Sequence, residues 1–139
     1  FTKTDYVGRT FIKPHPKERQ SAVHLKLSVL SSVVKGKRLV LIDDSIVRGT
    51  TMASLIRMLK DAGATEVHVR ISSPPFLFPC YYGTDVPSND QLIASSHTAA
   101  EICASIGADS LGYMKLEDLK QMTGDLPLCK ACFDSHYPV

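Results

Sequence analysis

The run VLIDDSIVRGTT, Val40 to Thr51, holds the residue types best suited to chemistry. An apolar stretch delivers two adjacent carboxylates, Asp43 and Asp44, into a segment rich in hydroxyls and glycine. A helix start offers backbone N–H groups without intrahelical acceptors and the positive end of the helix dipole. Ser45, Thr50 and Thr51 add hydroxyl donors, so the loop reads as a phosphate cradle without a lysine. Carboxylates repel phosphate, so Asp43 and Asp44 need other partners. Sugar hydroxyls would serve, as would a hard cation such as magnesium (Mg²⁺) bridging sugar and diphosphate oxygens. Acids beside a phosphate nest therefore describe a phosphorylated sugar with free hydroxyls. Neither GxxxxGK nor GxGxxG occurs, which sets aside a Walker loop and a dinucleotide fingerprint.

A second constellation is Cys129-Lys130-Ala131-Cys132, whose C-x₂-C spacing can place two thiolates on one metal or cluster, with Cys80 as a third ligand. Spacing alone leaves zinc, an iron–sulfur cluster and a redox pair open. Cys103 lies on a helix candidate beside Ile102 and Ile106 and reads as a small, partly buried thiol. The histidines, His15, His24, His68, His97 and His136, form no HxxxH or HxH pair. They read as structural or solvated groups; His68, alternating with Val67 and Val69, reads as a paired side chain beneath a sheet surface.

The elements that must position these groups follow from periodicity. Asp5 to Ile12 is weakly strand-like, and Lys13 to Ser21 is a charged, proline-containing loop. Val23 to Val34 reads as extended at first and helical or irregular later. Lys35-Gly36-Lys37 is a turn and Arg38 to Ile42 a short buried strand. Thr50 to Ala62 places Met52, Leu55, Ile56 and Leu59 at helical spacing, with Gly63 as the stop. Glu66 to Ile71 is the next strand. Strand, acidic loop, helix and strand make a βαβ unit, which puts Asp43 and Asp44 at the carboxyl end of a parallel strand, where such sheets bind ligands. Ser72 to Pro87 reads as a structured loop. Short helices are expected at Asn89 to Ala94, Thr98 to Ile106 and Leu116 to Met122, with a Pro- and Cys-containing tail from Gly124 to Val139.

Composition bounds the rest. The chain has 139 residues, 44% hydrophobic and 22% charged, with a net charge of +2. That suffices for one modest core and is too little excess charge for a general nucleic-acid or anionic-membrane surface. No apolar run reaches the roughly 18 residues of a membrane helix and the first residues are too polar for a secretory signal, so a cytoplasmic location is the default. Phe1 stands inside an already organised sequence, so the true start is expected upstream.

LIDDSIVRGTT resembles the phosphoribosyl-diphosphate motif of the type I phosphoribosyltransferases, in the form found in the glutamine phosphoribosyldiphosphate amidotransferase family. YVGRTFIKP (Tyr6 to Pro14), EVHVRISSPP (Glu66 to Pro75), PCYYGTD (Pro79 to Asp85) and IGADSLGYM (Ile106 to Met114) resemble the same family in the same order. The resemblance implies an α/β fold, a type I phosphoribosyltransferase fold with a mostly parallel sheet flanked by helices. Residues 1–123 would form the carboxyl-terminal part of that domain and residues 124–139 a cysteine-containing tail. It also implies that Asp43 and Asp44 hold the ribose hydroxyls with Mg²⁺, and that Ser45, Arg48, Gly49, Thr50 and Thr51 surround the 5-phosphate. Lys3 would contact the diphosphate. Arg9, Lys13 and Arg19 lie in or beside a segment that closes over substrate, and Arg19 and Lys26 match basic positions. At Asp5, Pro16 and Ser28 the chain departs from residues common in the family, all near that segment. One branch of the family holds a [4Fe–4S] cluster, and Cys80, Cys129 and Cys132 match three of its four ligands; the fourth would precede Phe1.

The implied reaction, a glycosyltransferase reaction early in purine synthesis, is displacement of diphosphate from carbon 1 of phosphoribosyl diphosphate by glutamine-derived ammonia. Purine nucleotides are implied as inhibitors, a homo-oligomer for the full enzyme, and a glutaminase domain outside this chain. Two other classes stay open: another type I phosphoribosyltransferase or phosphoribosyl-binding regulator, and a non-enzymatic metal-binding domain.

Overall fold

The computed structural model describes residues 2–3, 27–83, 86, 88–124 and 126–138. Strands β1 (Thr2–Lys3) and β2 (Leu27–Ser28) pair antiparallel. Helix α1 (Ser31–Val34) and a turn lead to β3 (Arg38–Asp43), α2 (Thr50–Asp61) and β4 (Glu66–Ile71). After a long loop and two 3₁₀ turns, Asn89–Gln91 and Ile93–Ser95, come α3 (Ala99–Ile106), β5 (Ser110–Tyr113), α4 (Leu116–Thr123) and α5 (Ala131–Asp134). β3, β4 and β5 form a parallel sheet in that order, with Leu39 opposite Val67 and Val69 opposite Leu111. The expected βαβ unit is present, and Val23 to Val34 is extended then helical over its described part.

Helix α2 forms because Met52, Leu55, Ile56 and Leu59 recur at three- and four-residue spacing and are all buried. It ends in a Schellman turn: Gly63 takes φ +98°, its N–H donates to Lys60 O at 2.9 Å, and the Ala64 N–H donates to Leu59 O at 3.0 Å. The Thr98–Glu101 capping box starts α3, with the Thr98 N–H donating to Glu101 Oε2 at 2.7 Å and the Glu101 N–H donating to Thr98 Oγ1 at 3.3 Å. Both helices cover one face of the sheet. Ile56, Val67, Val69, Ile71, Ile102 and Ile106 meet there in the main core. Each such side chain contributes about 1.5–3 kcal/mol of burial. A second, smaller core gathers Phe76, Val86 and Leu92, with Val47, Cys132 and Phe133 packed against it.

The opposite sheet face corrects one expectation. Arg38 to Ile42 reads as a buried strand, yet Val40 is 63% and Ile42 72% exposed. β3 is the outermost strand of this sheet and its burial alternates residue by residue, so only Leu39, Leu41 and Asp43 turn toward the helices. The exposed face also carries a polar row. Arg38 Nε donates to Glu66 Oε2 at 2.7 Å, and His68 joins Glu66 at 2.8 Å through Nε2 and Ser110 Oγ at 2.9 Å through Nδ1. Arg70 Nη1 donates to Ser110 Oγ at 3.0 Å. Ser110 Oγ ties Arg70 to His68, and His68 in turn joins Glu66. His68 is thus paired, as its alternation with Val67 and Val69 suggests. Among the described residues no helix is long and apolar enough to cross a membrane.

Candidate functional site

Asp43 ends β3 in register with Ile71, which pairs with Tyr113, so the acids stand at the carboxyl rim of the parallel sheet. The rim is stitched across the strands: the Ser72 N–H and hydroxyl both donate to the Asp43 main-chain oxygen, at 3.0 and 3.3 Å. The Asp44 N–H donates to Asp43 Oδ1 at 3.0 Å and the Ser45 hydroxyl to Asp44 Oδ1 at 3.2 Å. Burial pushes the Asp43 carboxyl above its ordinary value. The hydrogen bond from the Asp44 N–H pulls the other way, and the neighbouring Asp44 carboxylate adds to the rise. Asp44 itself is exposed. A half-buried acid beside an exposed one is a site whose repulsion a cation or hydroxyl donors would relieve.

From Asp44 the chain turns into α2 through a loop held from below. Ile46 is 3% exposed and anchors it in the main core. Val47 O accepts the Ile93 N–H at 2.9 Å. Gly49 is the N-cap residue at φ +77°, ψ −17°, a left-handed backbone that glycine adopts freely. A Cβ there would meet Ile93 Cδ1 at 3.2 Å and Ile106 Cγ2 at 3.4 Å, so the loop also has no room for one. No side chain caps α2. Among the described residues the N–H groups of Arg48 to Met52 find no protein acceptor. Thr50 and Thr51 are exposed beside them, and Ser45 and Arg48 are half-buried. Open N–H groups, hydroxyls and a helix start together suit an anion.

The structure thus brings Asp43, Asp44, Ser45, Arg48, Gly49, Thr50 and Thr51 into one continuous turn. Lys3 lies in the two-residue strand β1 with its backbone opposite Leu27. Arg9, Arg19 and Lys26 lie outside the described residues, as do the Asp5 to Ile12 and Lys13 to Ser21 segments.

Of the tail cysteines, Cys132 lies on α5 and Cys129 precedes it. Cys132 O accepts the N–H groups of Leu77 at 3.0 Å and Phe78 at 3.1 Å, and the Cys80 N–H donates to Val86 O at 3.1 Å. Burial pushes the Cys132 thiol above its ordinary value, a main-chain hydrogen bond pulls it back, and charge on Cys80 and Cys129 adds to the rise. Among the described residues no three His, Cys, Asp or Glu side chains are grouped to hold a metal ion. Cys103 sits apart on α3, its thiol donating to Ala108 O at 3.4 Å. Sequence reasoning missed β5, which sets Tyr113 in the Asp43 row, and the Leu92–Ile93 step that presses on the loop. The one cue to β5 is the glycine stop of α3, where Gly107 takes φ +75° just before the strand begins.

A strand that runs into two acids at the rim of a parallel sheet, followed by a pinned, uncapped helix start, is an arrangement suited to a phosphorylated sugar. The pattern of the phosphoribosyl transferase domain matches residues 3–72, half of the chain, and the chain belongs to that family. It is 53% identical over 136 residues to the amidophosphoribosyltransferase of Methanocaldococcus jannaschii, covering 98% of this chain and 29% of that protein. It is 51% identical over 139 residues to the chloroplastic amidophosphoribosyltransferase of Glycine max, covering 99% and 24%. A solved structure of glutamine phosphoribosylpyrophosphate amidotransferase from B. subtilis, complexed with ADP and GMP, matches with a TM-score of 0.80 and 51% identity, over 98% of this chain and 31% of that one. The chain thus spans about a quarter to a third of the length of the curated relatives it matches.

Proposed function

We propose that this chain is the phosphoribosyltransferase portion of an amidophosphoribosyltransferase, the enzyme that displaces diphosphate from 5-phosphoribosyl 1-diphosphate with glutamine-derived ammonia to give 5-phosphoribosylamine. The observation that carries the reading is the Asp43–Asp44 pair at the sheet rim, running directly into the uncapped, core-pinned start of α2. Asp43 and Asp44 accept hydrogen bonds from the ribose hydroxyls, and Ser45, Gly49, Thr50 and Thr51 hold the 5-phosphate through hydroxyls and main-chain N–H groups, with Arg48 beside them. Lys3, Arg9, Arg19 and Lys26 supply positive charge for the departing diphosphate and for the segment that closes over it. As the leaving group departs, positive character builds on the sugar, so rigid holding of ribose and phosphate aligns carbon 1 for attack. Neutral ammonia is already a nucleophile and needs no protein base. Its source, glutamine hydrolysis, belongs to a part of the protein outside this chain.

The paired carboxylates fit Mg²⁺: two adjacent acids, one raised by burial and by its neighbour's charge, form an oxygen-donor set that a hard cation relieves. When bound, the ion neutralises diphosphate charge. The resemblance assigns Cys80, Cys129 and Cys132 as three thiolate ligands of an iron–sulfur cluster whose fourth ligand lies outside this chain, and thiol chemistry suits that role, although among the described residues no three such side chains are grouped to hold a metal ion. Residues 1–123 are then the catalytic portion and 124–139 the cluster-bearing tail, in a cytoplasmic homo-oligomer. Purine nucleotides compete at the phosphate loop; the relative from B. subtilis was solved with ADP and GMP.

Calorimetric titration with ribose 5-phosphate, Mg²⁺-phosphoribosyl diphosphate and GMP tests the site. Asp43→Ala with Asp44→Ala should weaken all three by losing ribose recognition; equal binding by wild type and double variant would refute the carboxylate role. Anaerobic iron and sulfide analysis should show substoichiometric cluster in this chain and a full four-iron cluster in one extended through the missing ligand. Full occupancy in both, lost on Cys103→Ser, would make Cys103 the fourth ligand.

A further inference from the structure

We propose that the tail carrying the CxxC pair is a positioning element for the phosphate loop, acting through the second hydrophobic core. This rests on the reading of Ser45 to Thr51 as a phosphate site.

The path is a continuous set of contacts. The Phe133 ring of α5 lies 5.1 Å from that of Phe76, tilted by 56°, within the contact distance of aromatic pairs. Phe76 shares the second core with Val86 and Leu92, and Val47, Cys132 and Phe133 pack against the same three residues. That core therefore touches the tail on one side and the phosphate loop on the other. The next residue along, Ile93, completes the link: its N–H donates to Val47 O at 2.9 Å and its Cδ1 occupies the space above Gly49. The loop is thus gripped at Val47 and Gly49 by the same two-residue step, Leu92–Ile93, that the tail supports.

The tail is in turn fastened to the segment that presents Phe76. Besides the Leu77 and Phe78 N–H groups on Cys132 O, Tyr137 donates its hydroxyl to Pro79 O at 2.7 Å and Tyr82 donates its own to Pro138 O at 2.6 Å. The Tyr81 and Tyr137 rings stand 4.9 Å apart. Lys130 pairs with Asp134 at 3.1 Å across one turn of α5. These bonds fasten the tail on either side of Phe133, at Cys132 and at Tyr137–Pro138, so the ring is held against the core from both directions along the chain. Undocking the tail removes the outer wall of the Phe76–Leu92 core and with it the support beneath Val47.

Linkage makes the effect reciprocal: a ligand that stabilises the loop must stabilise the docked tail by the same free energy. Cys132 is partly buried on the core side, and Cys129 is exposed. The two thiols therefore report tail docking and plain solvent reactivity within one molecule.

The experiment is iodoacetamide labelling of the reduced 139-residue chain, with rates at Cys132 and Cys129 read by mass spectrometry with and without saturating ribose 5-phosphate, whose binding is followed calorimetrically. Saturation should slow Cys132 about threefold or more and leave Cys129 unchanged. Phe133→Leu should weaken ribose 5-phosphate about 3- to 10-fold and accelerate Cys132 labelling, and Tyr137→Phe should do both more weakly. Rescue of affinity by Phe133→Tyr, which keeps the ring, separates positioning from a general loss of stability. Binding of ribose 5-phosphate with no selective protection of Cys132 overturns the coupling. Absence of binding in the wild type overturns the phosphate-site reading instead. Should Phe133→Leu fail to fold, the wild-type protection measurement decides by itself.

Discussion

Gly49→Ala perturbs the phosphate loop by one methyl group, and its cost divides into two separable parts. At φ +77° an alanine must enter the left-handed region, which costs about 1–2 kcal/mol, less about 0.4–1 kcal/mol regained because alanine restricts the unfolded chain. The new Cβ also meets Ile93 Cδ1 at 3.2 Å and Ile106 Cγ2 at 3.4 Å. Relieving that contact moves Ile93, whose N–H holds Val47 O, and adds roughly 1 kcal/mol or more as overpacking. Gly36 is the control. It has φ +72° with nothing within 4 Å of its would-be Cβ, so Gly36→Ala isolates the backbone part. For a chain of this size about 1 kcal/mol moves Tm by roughly 3–5 °C. Gly36→Ala should thus lower Tm by about 3 °C, and Gly49→Ala by about 6–12 °C. Ribose 5-phosphate affinity should fall about tenfold in Gly49→Ala only. Equal losses of Tm in the two variants, or unchanged affinity in Gly49→Ala, would refute the claim that steric closure beneath Gly49 shapes the loop.

Thr98→Ala should cost about 1 kcal/mol in urea unfolding by removing the acceptor of the Glu101 N–H, and Thr98→Ser should restore most of it. Asp109 accepts the Val67 N–H at 2.7 Å and pairs with Lys60 at 3.2 Å, which hold its carboxyl below the ordinary value. A lowered folded pKa gives stability that is present above the unfolded value and lost as pH falls through the folded one. Unfolding free energy followed from pH 6 to pH 2 should therefore decline less steeply in Asp109→Asn, with Glu66, Glu101 and Asp134 adding decline in the same direction. Asp43 runs the other way: burial raises it, so its ionisation destabilises the fold as pH rises through the raised value. Ligand binding uses the ionised form, so affinity should rise with pH through a midpoint above the ordinary 3.8. Asp43→Asn should lose that step and keep the phosphate's own titration near pH 6.

The segments legible in the sequence are those whose signals are local. The helix expected at Thr50 to Ala62 is Thr50–Asp61, and the strand expected at Glu66 to Ile71 has those same bounds, because periodicity, Gly49 and Gly63 all lie within the segment. That Asp43 to Thr51 form one continuous turn at the sheet rim was legible for the same reason, since these residues are contiguous. β5 was not. Ser110–Tyr113 has four residues, one of them Gly112, and becomes a strand only because β4 offers it a parallel edge. Nor could an apolar run say whether one face or both are covered, which is why Val40 and Ile42 read as buried. The tail has too few apolar residues for a core of its own. It completes one by borrowing Phe76, Val86 and Leu92, a pairing across sequence distances that no local pattern reports.

The polar row on the exposed sheet face has a consequence for how the strands find their alignment. The aliphatic face presents Leu39 and Leu41 to Val67, Val69 and Ile71, branched side chains of similar size. A slip of one residue would turn these outward, but a slip of two would return the same kind of surface to the helices and cost the core little. The row breaks that degeneracy. Arg38 faces Glu66 and His68 faces Ser110 directly across the ladder, while Arg70 lies over Gly112 to reach Ser110, its Cδ only 3.1 Å from where a Cβ would stand. A two-residue shift would part both direct pairs and set any larger side chain arriving at the Gly112 position against Arg70. Alignment along the strands is therefore written on the wet side of the sheet, by directional bonds, while the dry side specifies only which way the strands face.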